Sequence, residues 1–401
     1  MKAGITLFVI LALYFFASVY GFVSYQYGFA LPFWGWSEIA DAPSADVDLR
    51  DSNYKQRAAA SLELLESWRS DHQIPSVSAA VVSSRKLIWA AAVGWADIEE
   101  RRAATTQTSY RIGSTSKAVT STLLARLVDG GTISLDTPIS DYLTPENSQW
   151  AAITPRQLAS HTAGLVGYEN NNDWLGAYQS LLLNRHYDDP EDALEIFDGS
   201  TLLFPPGHGF SYSSFDVVLL SAVMQAASST SYQNLIAEHV REPLHLSTPV
   251  VELEAESAVH YFIRDGVARP WRNVDLSQKM ASGGLIAKPQ DLALMASYWL
   301  DVTYIKRNTR DDFWKPVRLN NGTINEQDYA IGWRRKVWRV NEMDVLNLNH
   351  GGVSKGAQCW LMIVPEHDLV LALTINARTE NFKVFSALAK DLLSIFLTDL
   401  E

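Results

Sequence analysis

The chain has a single cysteine, Cys359, so no disulfide can form within it. Its setting, "AQCWLMIV", reads as a strand in which the thiol serves as a small buried hydrophobe. The paired His and Cys spacings of a zinc site are missing, as is H-E-x-x-H, so neither a metal nor another cofactor is expected. No run of five or more basic residues occurs, and the net charge is −12. That balance excludes non-specific nucleic-acid binding, which needs a basic footprint. No internal repeat and no low-complexity tract interrupts a globular composition, 47% hydrophobic and 19% charged, with material for a large core.

Charge is also missing near the N-terminus: after Lys2 the next charged residue is Glu38. Within that interval Gly4 to Val23, "GITLFVILALYFFASVYGFV", is almost unbroken apolar sequence, about the ~20 residues that span a bilayer. Tyr25, Tyr27, Trp34 and Trp36 follow, as in an interfacial aromatic belt, and then an acidic stretch. Residues 1–36 therefore read as a membrane anchor with the bulk of the chain exported, or as a signal peptide cleaved after Ala30. The first reading puts a tethered domain on the periplasmic or other extracytoplasmic side, and the second secretes it.

Residues 37–55 show no periodicity and read as a polar linker, with one domain over 56–401. That domain opens on a helical pattern (Leu62, Leu65, Trp68) stopped by Pro75. "SVSAAVV" and "LIWAAAVGWAD", separated by "SSRK", form a hairpin signal, as do "AQCWLMIV" and "LVLALTINA" around "PEHD". The last segment carries Phe385, Leu388, Leu392 and Phe396 on one helical face, and the centre, from Ser114 to roughly Leu300, is mostly helical stripes. Strands at both chain ends with helices between them predict an α+β fold. One antiparallel sheet is built from both ends, covered by the terminal helices, with a helical lobe inserted.

Ser-x-x-Lys occurs three times. Ser52-Asn-Tyr-Lys55 falls in the polar segment and Ser83-Ser-Arg-Lys86 in a hairpin turn, where both would be solvated. At Ser114 the context differs. Val119, Leu123, Leu124, Leu127 and Val128 follow with a 3.6 period until Gly130-Gly131, so Ser114 lies at or near a helix N-terminus. Lys117 shares its face and is the only charge between Arg111 and Arg126. A serine hydroxyl needs a base to become a nucleophile, and a lysine kept out of water can act as one. An N-cap serine followed by a solvated lysine fits this stretch equally well.

"YRIGSTSKAVTSTLLARLVDGGTISLDTPISDYL" followed by "ITPRQLASHTAGL" resembles the serine β-lactamase and penicillin-binding family. The similarity is to the branch of class C β-lactamases, D,D-peptidases and related esterases, and runs from about residue 57 to 395. It implies a β-lactamase/transpeptidase-like fold and a serine hydrolase forming an acyl-enzyme, with Ser114 as nucleophile and Lys117 as base. Literal Tyr-x-Asn occurs at Tyr168 and Tyr232, but "FPPGHGFSYSSFDVVLLSAVMQAAS" resembles the family's loop and following helix. That places the second motif at Tyr212-Ser213-Ser214, with Tyr212 relaying a proton and Ser214 replacing an asparagine in the substrate site. "LNLNHGGVSKGAQCWLMIV" resembles the third motif, with His350 where the β-lactamase signature has lysine. Gly351 and Gly352 then admit the substrate backbone, and the backbone N–H groups of Ser114 and Val353 form the oxyanion hole.

By the same resemblance, His161 in "SHTAGL" fixes a loop. Together, Tyr-Ser-Ser and His-Gly-Gly look most like the branch with mitochondrial β-lactamase-like members, nearer peptidases than resistance enzymes. A small-molecule or peptide substrate is implied, cleaved at an amide or ester bond, with D-amino-acid peptides among the candidates. Two other readings stand beside it, a true β-lactamase and a non-catalytic binding or scaffold protein of the same fold.

Overall fold

The computed structural model describes residues 2–27, 35–251 and 257–398. The N-terminal helix is α1 (Lys2–Tyr27), and the helices that cover the sheet or bear on the site are α2 (Lys55–Asp71), α3 (Ser116–Asp129), α4 (Ser214–Ser228), α5 (Pro289–Ser297) and α6 (Phe382–Leu397). The principal sheet is formed by β1 (Asp46–Leu49), β2 (Ser76–Ser83), β3 (Lys86–Asp97), β4 (Arg334–Val340), β5 (Met343–Ser354), β6 (Ala357–Val364) and β7 (Leu369–Ile375). Their order is β4-β5-β6-β7-β2-β3-β1, every pairing antiparallel. The pairing of β7 with β2, Leu371 opposite Val81, joins the two chain ends in one sheet, as the pattern predicts.

The central strands are apolar on both faces because both are covered. On one face Val77, Val81, Trp89, Met362 and Leu373 pack with Leu65 and Trp68 of α2 and with Phe385, Leu388, Leu392 and Phe396 of α6. On the other, Ala80, Val82, Cys359, Leu361 and Val370 join a core with Val119, Leu123, Leu219 and Leu292 of the inserted helical lobe. Cys359 is fully buried and burial pushes its thiol up to about 12, which suits a packing residue. The turn between β2 and β3 has Ser84 at φ 49° and Arg85 at φ 59°, the left-handed pair that suits the twist of a two-residue hairpin.

One expectation needs correction. Residues 37–55 are not a free linker. Residues 46–49 form edge strand β1, and the Ala40 and Asp41 carbonyls accept from Arg69 Nη2 and Trp95 Nε1 at 3.2 and 3.1 Å. Backbone pairing carries this strand, and four residues are too few for a hydrophobic period. Among the described residues no helix is long and apolar enough to cross a membrane.

Candidate active site

Ser114 lies on a tight turn, Gly113–Thr115, that leads into α3 at Ser116, so its hydroxyl stands just ahead of the helix. Two neighbours grip the turn. Thr115 Oγ1 donates to the His350 carbonyl on β5 at 3.3 Å, while Ile112 N–H donates to the Leu285 carbonyl at 3.1 Å and Leu285 N–H to Ser116 Oγ at 3.2 Å. The glycines permit this closeness. A Cβ on Gly352 would lie 1.9 Å from the Ile112 oxygen, and one on Gly113, at φ +52°, 2.5 Å from the Val353 oxygen. The turn that carries Ser114 is thereby pressed against Gly352 and Val353 of β5.

Lys117 is 1% exposed, one turn into the lobe from Ser114. Its Nζ lies 2.7 Å from the Ser282 carbonyl, 3.1 Å from Ser214 Oγ and 3.3 Å from Ser114 Oγ. Burial pulls this ammonium below its ordinary pKa, and Arg334 adds to the fall, while Tyr212 and Asp216 oppose it. A neutral amine here can donate to Ser282 and Ser214 and keep its lone pair for Ser114. Ser214, expected to face substrate, therefore also holds the base.

Tyr212 precedes α4, whose N-cap Ser213 accepts from Phe215 N–H at 3.0 Å. Lys117 Nζ lies 4.9 Å from the Tyr212 ring centroid and Arg334 Cζ lies 5.2 Å from it. Burial alone would raise the phenol, but the two cations and hydrogen bonding to Ser114 and Lys117 bring it below its ordinary value. His350 is placed differently from Tyr212. Its ring is fully buried, with Nδ1 donating to the Gly351 carbonyl at 2.9 Å and Nε2 accepting from Tyr329 Oη at 2.9 Å and Arg334 Nη1 at 3.4 Å. It makes no hydrogen bond to Ser114, Lys117 or Tyr212, and burial pushes its pKa well down. The imidazole expected among the catalytic groups is thus a neutral prop for Tyr329 and Arg334, because side chains alternate along β5 and this one points into the lobe.

A cleft of about 380 Å³ opens over Ser114, walled by Tyr212, Arg334, Asn349, Gly351, Val353, Trp360 and Phe382. The sequence gives no signal for Arg334, Ser282 or Tyr329, which come from segments remote from the three motifs. Arg334 holds Gln327 Oε1 through Nε and Nη2 at 3.1 and 2.9 Å, and among the described residues no carboxylate pairs with it. The literal Tyr-x-Asn sites separate. Tyr232 Oη is buried against Thr120 Oγ1 at 2.7 Å, whereas Tyr168 packs on Phe215 at 4.8 Å between centroids, at the edge of the site. Among the other Ser-x-x-Lys pairs, Ser52 lies in a turn at the start of α2 and Lys86 is exposed at the β2–β3 turn. Among the described residues no group of His, Cys, Asp and Glu could hold a metal.

This arrangement of a two-ended sheet, an inserted lobe and a Ser–Lys pair beneath β5 is that of a β-lactamase/transpeptidase-like fold. The Beta-lactamase family model matches residues 51–394, and the chain belongs to that family. It is similar to the human serine beta-lactamase-like protein LACTB, mitochondrial, at 24% identity, over 82% of this chain and 75% of that protein. Among solved structures it is similar to that of SurE, with a TM-score of 0.68 and 25% identity over 86% of this chain and 77% of the other. The D-amino acid amidase from Ochrobactrum anthropi SV3, complexed with L-phenylalanine amide, shares the fold with a TM-score of 0.68. Identity there is 20%, over 84% of this chain and 98% of the amidase.

Proposed function

We propose that the protein is a serine hydrolase that cleaves amide or ester bonds through an acyl-enzyme on Ser114. The observation that carries this reading is the buried Lys117 amine, placed between Ser114 Oγ, Ser214 Oγ and the Ser282 carbonyl. Neutral Lys117 takes the Ser114 proton as Oγ attacks the carbonyl carbon. The backbone N–H groups of Ser114 and Val353 receive the oxyanion. The tetrahedral adduct collapses as the bond to the leaving nitrogen or oxygen breaks, and the leaving atom takes its proton through Tyr212. Water then attacks the ester carbon by the reverse proton path and frees Ser114.

A D-amino-acid amide or peptide is the substrate class we favour, since the D-amino acid amidase named above has this fold. Arg334 bears on β-lactams as substrates. The signature lysine is absent at His350, yet a guanidinium in the cleft supplies a cation close by. Labelling with a fluorophosphonate, alone and after Ser114→Ala, tests the reading. A labelled wild type with an unlabelled variant supports it, and an unlabelled wild type leaves the binding or scaffold reading.

A further inference from the structure

Lys279 stands on the flank of the nucleophile turn opposite Val353. A Cβ on Gly283 would lie 3.9 Å from Lys279 Cδ and 3.8 Å from the carbonyl carbon of Gly113, so only bare Gly283 separates the lysine stem from the backbone that leads into Ser114. Its ammonium lies 5.5 Å from the Tyr168 ring centroid. Two more cations stand close. Arg111 Nη1 donates to the Lys355 carbonyl at 3.1 Å, and Lys355 Nζ lies 5.2 Å from the Trp271 ring. Among the described residues no carboxylate pairs with Lys279, Lys355 or Arg111, and neither lysine ammonium donates to a protein acceptor. Burial and the neighbouring Lys355, Lys117 and Arg111 push Lys279 down to about 7. Burial with Arg272 and Arg378 pushes Lys355 down to about 8.

Like charges held in a partly buried place without partners weaken a fold, so packing alone gives no reason for this cluster. We propose that Lys279, flanked by Lys355 and Arg111, forms an anion-binding subsite beside Ser114 that holds a carboxylate or phosphate group of the substrate. The proposal rests on the serine-hydrolase reading for its role in turnover, but the subsite can be tested without turnover.

Thermal unfolding of the full chain is measured with glutarate, with inorganic phosphate and with neutral glutaramide. Either anion should raise the melting temperature of the wild type while glutaramide does not, because a ligand that binds only the native state stabilises it. Lys279→Met should lose that shift and Lys279→Arg should keep it, with circular dichroism showing that both fold. Whichever anion gives the larger shift names the group. No shift with either anion, or the same shift in Lys279→Met, overturns the subsite. In turnover, the preference for 4-nitrophenyl hydrogen glutarate over 4-nitrophenyl valerate should fall about tenfold in Lys279→Met, the scale of one charged hydrogen bond. An unchanged ratio would remove its role in substrate choice. Fluorophosphonate labelling of Ser114, read separately, tells failure of the hydrolase reading from failure of the subsite.

Discussion

His161 Nδ1 lies 2.8 Å from Asp216 Oδ2, both side chains are buried, and the imidazole packs 4.4 Å from the Tyr212 ring centroid. Burial pushes Asp216 well above and His161 well below their ordinary pKa values, so the pair is neutral, with the carboxylic acid donating to Nδ1. Ser213 N–H also points at Nδ1, at 3.4 Å, which requires an acceptor there. Beyond the loop-fixing role that its motif implies, His161 packs against the tyrosine of the site.

Asp216→Asn should therefore cost little stability, under about 1 kcal/mol, because the amide donates the same bond. Asp216→Ala should cost about 1–3 kcal/mol by leaving Nδ1 without that donor. Urea unfolding of both variants checks this. A loss of about 3–5 kcal/mol in Asp216→Asn would mean an ion pair instead.

The three Ser-x-x-Lys pairs can be ranked by ester hydrolysis. Ser114→Ala should abolish activity, and Lys117→Ala should lower it at least about 10²-fold, the scale of general base catalysis. Ser52→Ala, Ser83→Ala and Lys86→Ala should leave it nearly intact. Tyr212→Phe should slow the reaction with folding retained, and Tyr232→Phe, whose hydroxyl pairs with Thr120 and with neither Ser114 nor Lys117, serves as its control. Activity retained by Ser114→Ala would refute the assignment.

The alkaline behaviour of the rate follows from Arg334. Lys117 must be neutral to accept a proton, so kcat/KM should rise as pH passes through its depressed pKa. Arg334 lowers both Lys117 and Tyr212. Arg334→Met removes that cation, and the rising limb should move to higher pH. A limb that stays in place would show that the guanidinium does not act on the base.

Lys279 offers a stability test of opposite sense to an ordinary salt-bridged lysine. Its folded pKa, about 7, lies below that of an unfolded lysine, ~10.4. Between those values the unfolded chain binds more protons, so this group's contribution to stability rises with pH. Lys279→Met should be more stable than wild type at pH 6, with the gap narrowing towards pH 10 in chemical denaturation. A gap that does not depend on pH would contradict the placement.

Two adjacent glycines should respond differently to alanine. At Gly352 the new carbon would meet backbone, the Ile112 oxygen at 1.9 Å and the Thr115 nitrogen at 2.8 Å. At Gly351 it would meet the Phe382 ring at 2.6 Å, a side chain that can turn. Gly352→Ala should destabilise by at least about 2 kcal/mol and lose fluorophosphonate labelling, with Gly351→Ala milder on both measures. Equal losses would mean that the strand and the nucleophile turn can separate.

The two hairpins, the helix after Ser114 and the apolar face of α6 were legible in the sequence, because each is set by neighbours a few positions away. The residues of the Ser114 turn and of the Tyr212 loop could be picked out for the same reason. Edge strand β1 was hidden, since its stability comes from β3, forty residues further on, and not from its own pattern.

By itself the sequence determined that Ser114 and Lys117 share a helical face and that Gly351 and Gly352 leave β5 bare beside them. Which groups complete the site was decided by the tertiary structure. Lys117 meets Ser214 across 97 positions and Ser282 across 165, and the Arg334 guanidinium reaches the His350 ring from the neighbouring strand. Those encounters depend on how the lobe packs over the sheet, and local periodicity carries no record of that packing. Strand alternation puts the His350 imidazole on the same face of β5 as Gly352, towards the lobe, and it is the packing there that hands the ring to Tyr329 and Arg334.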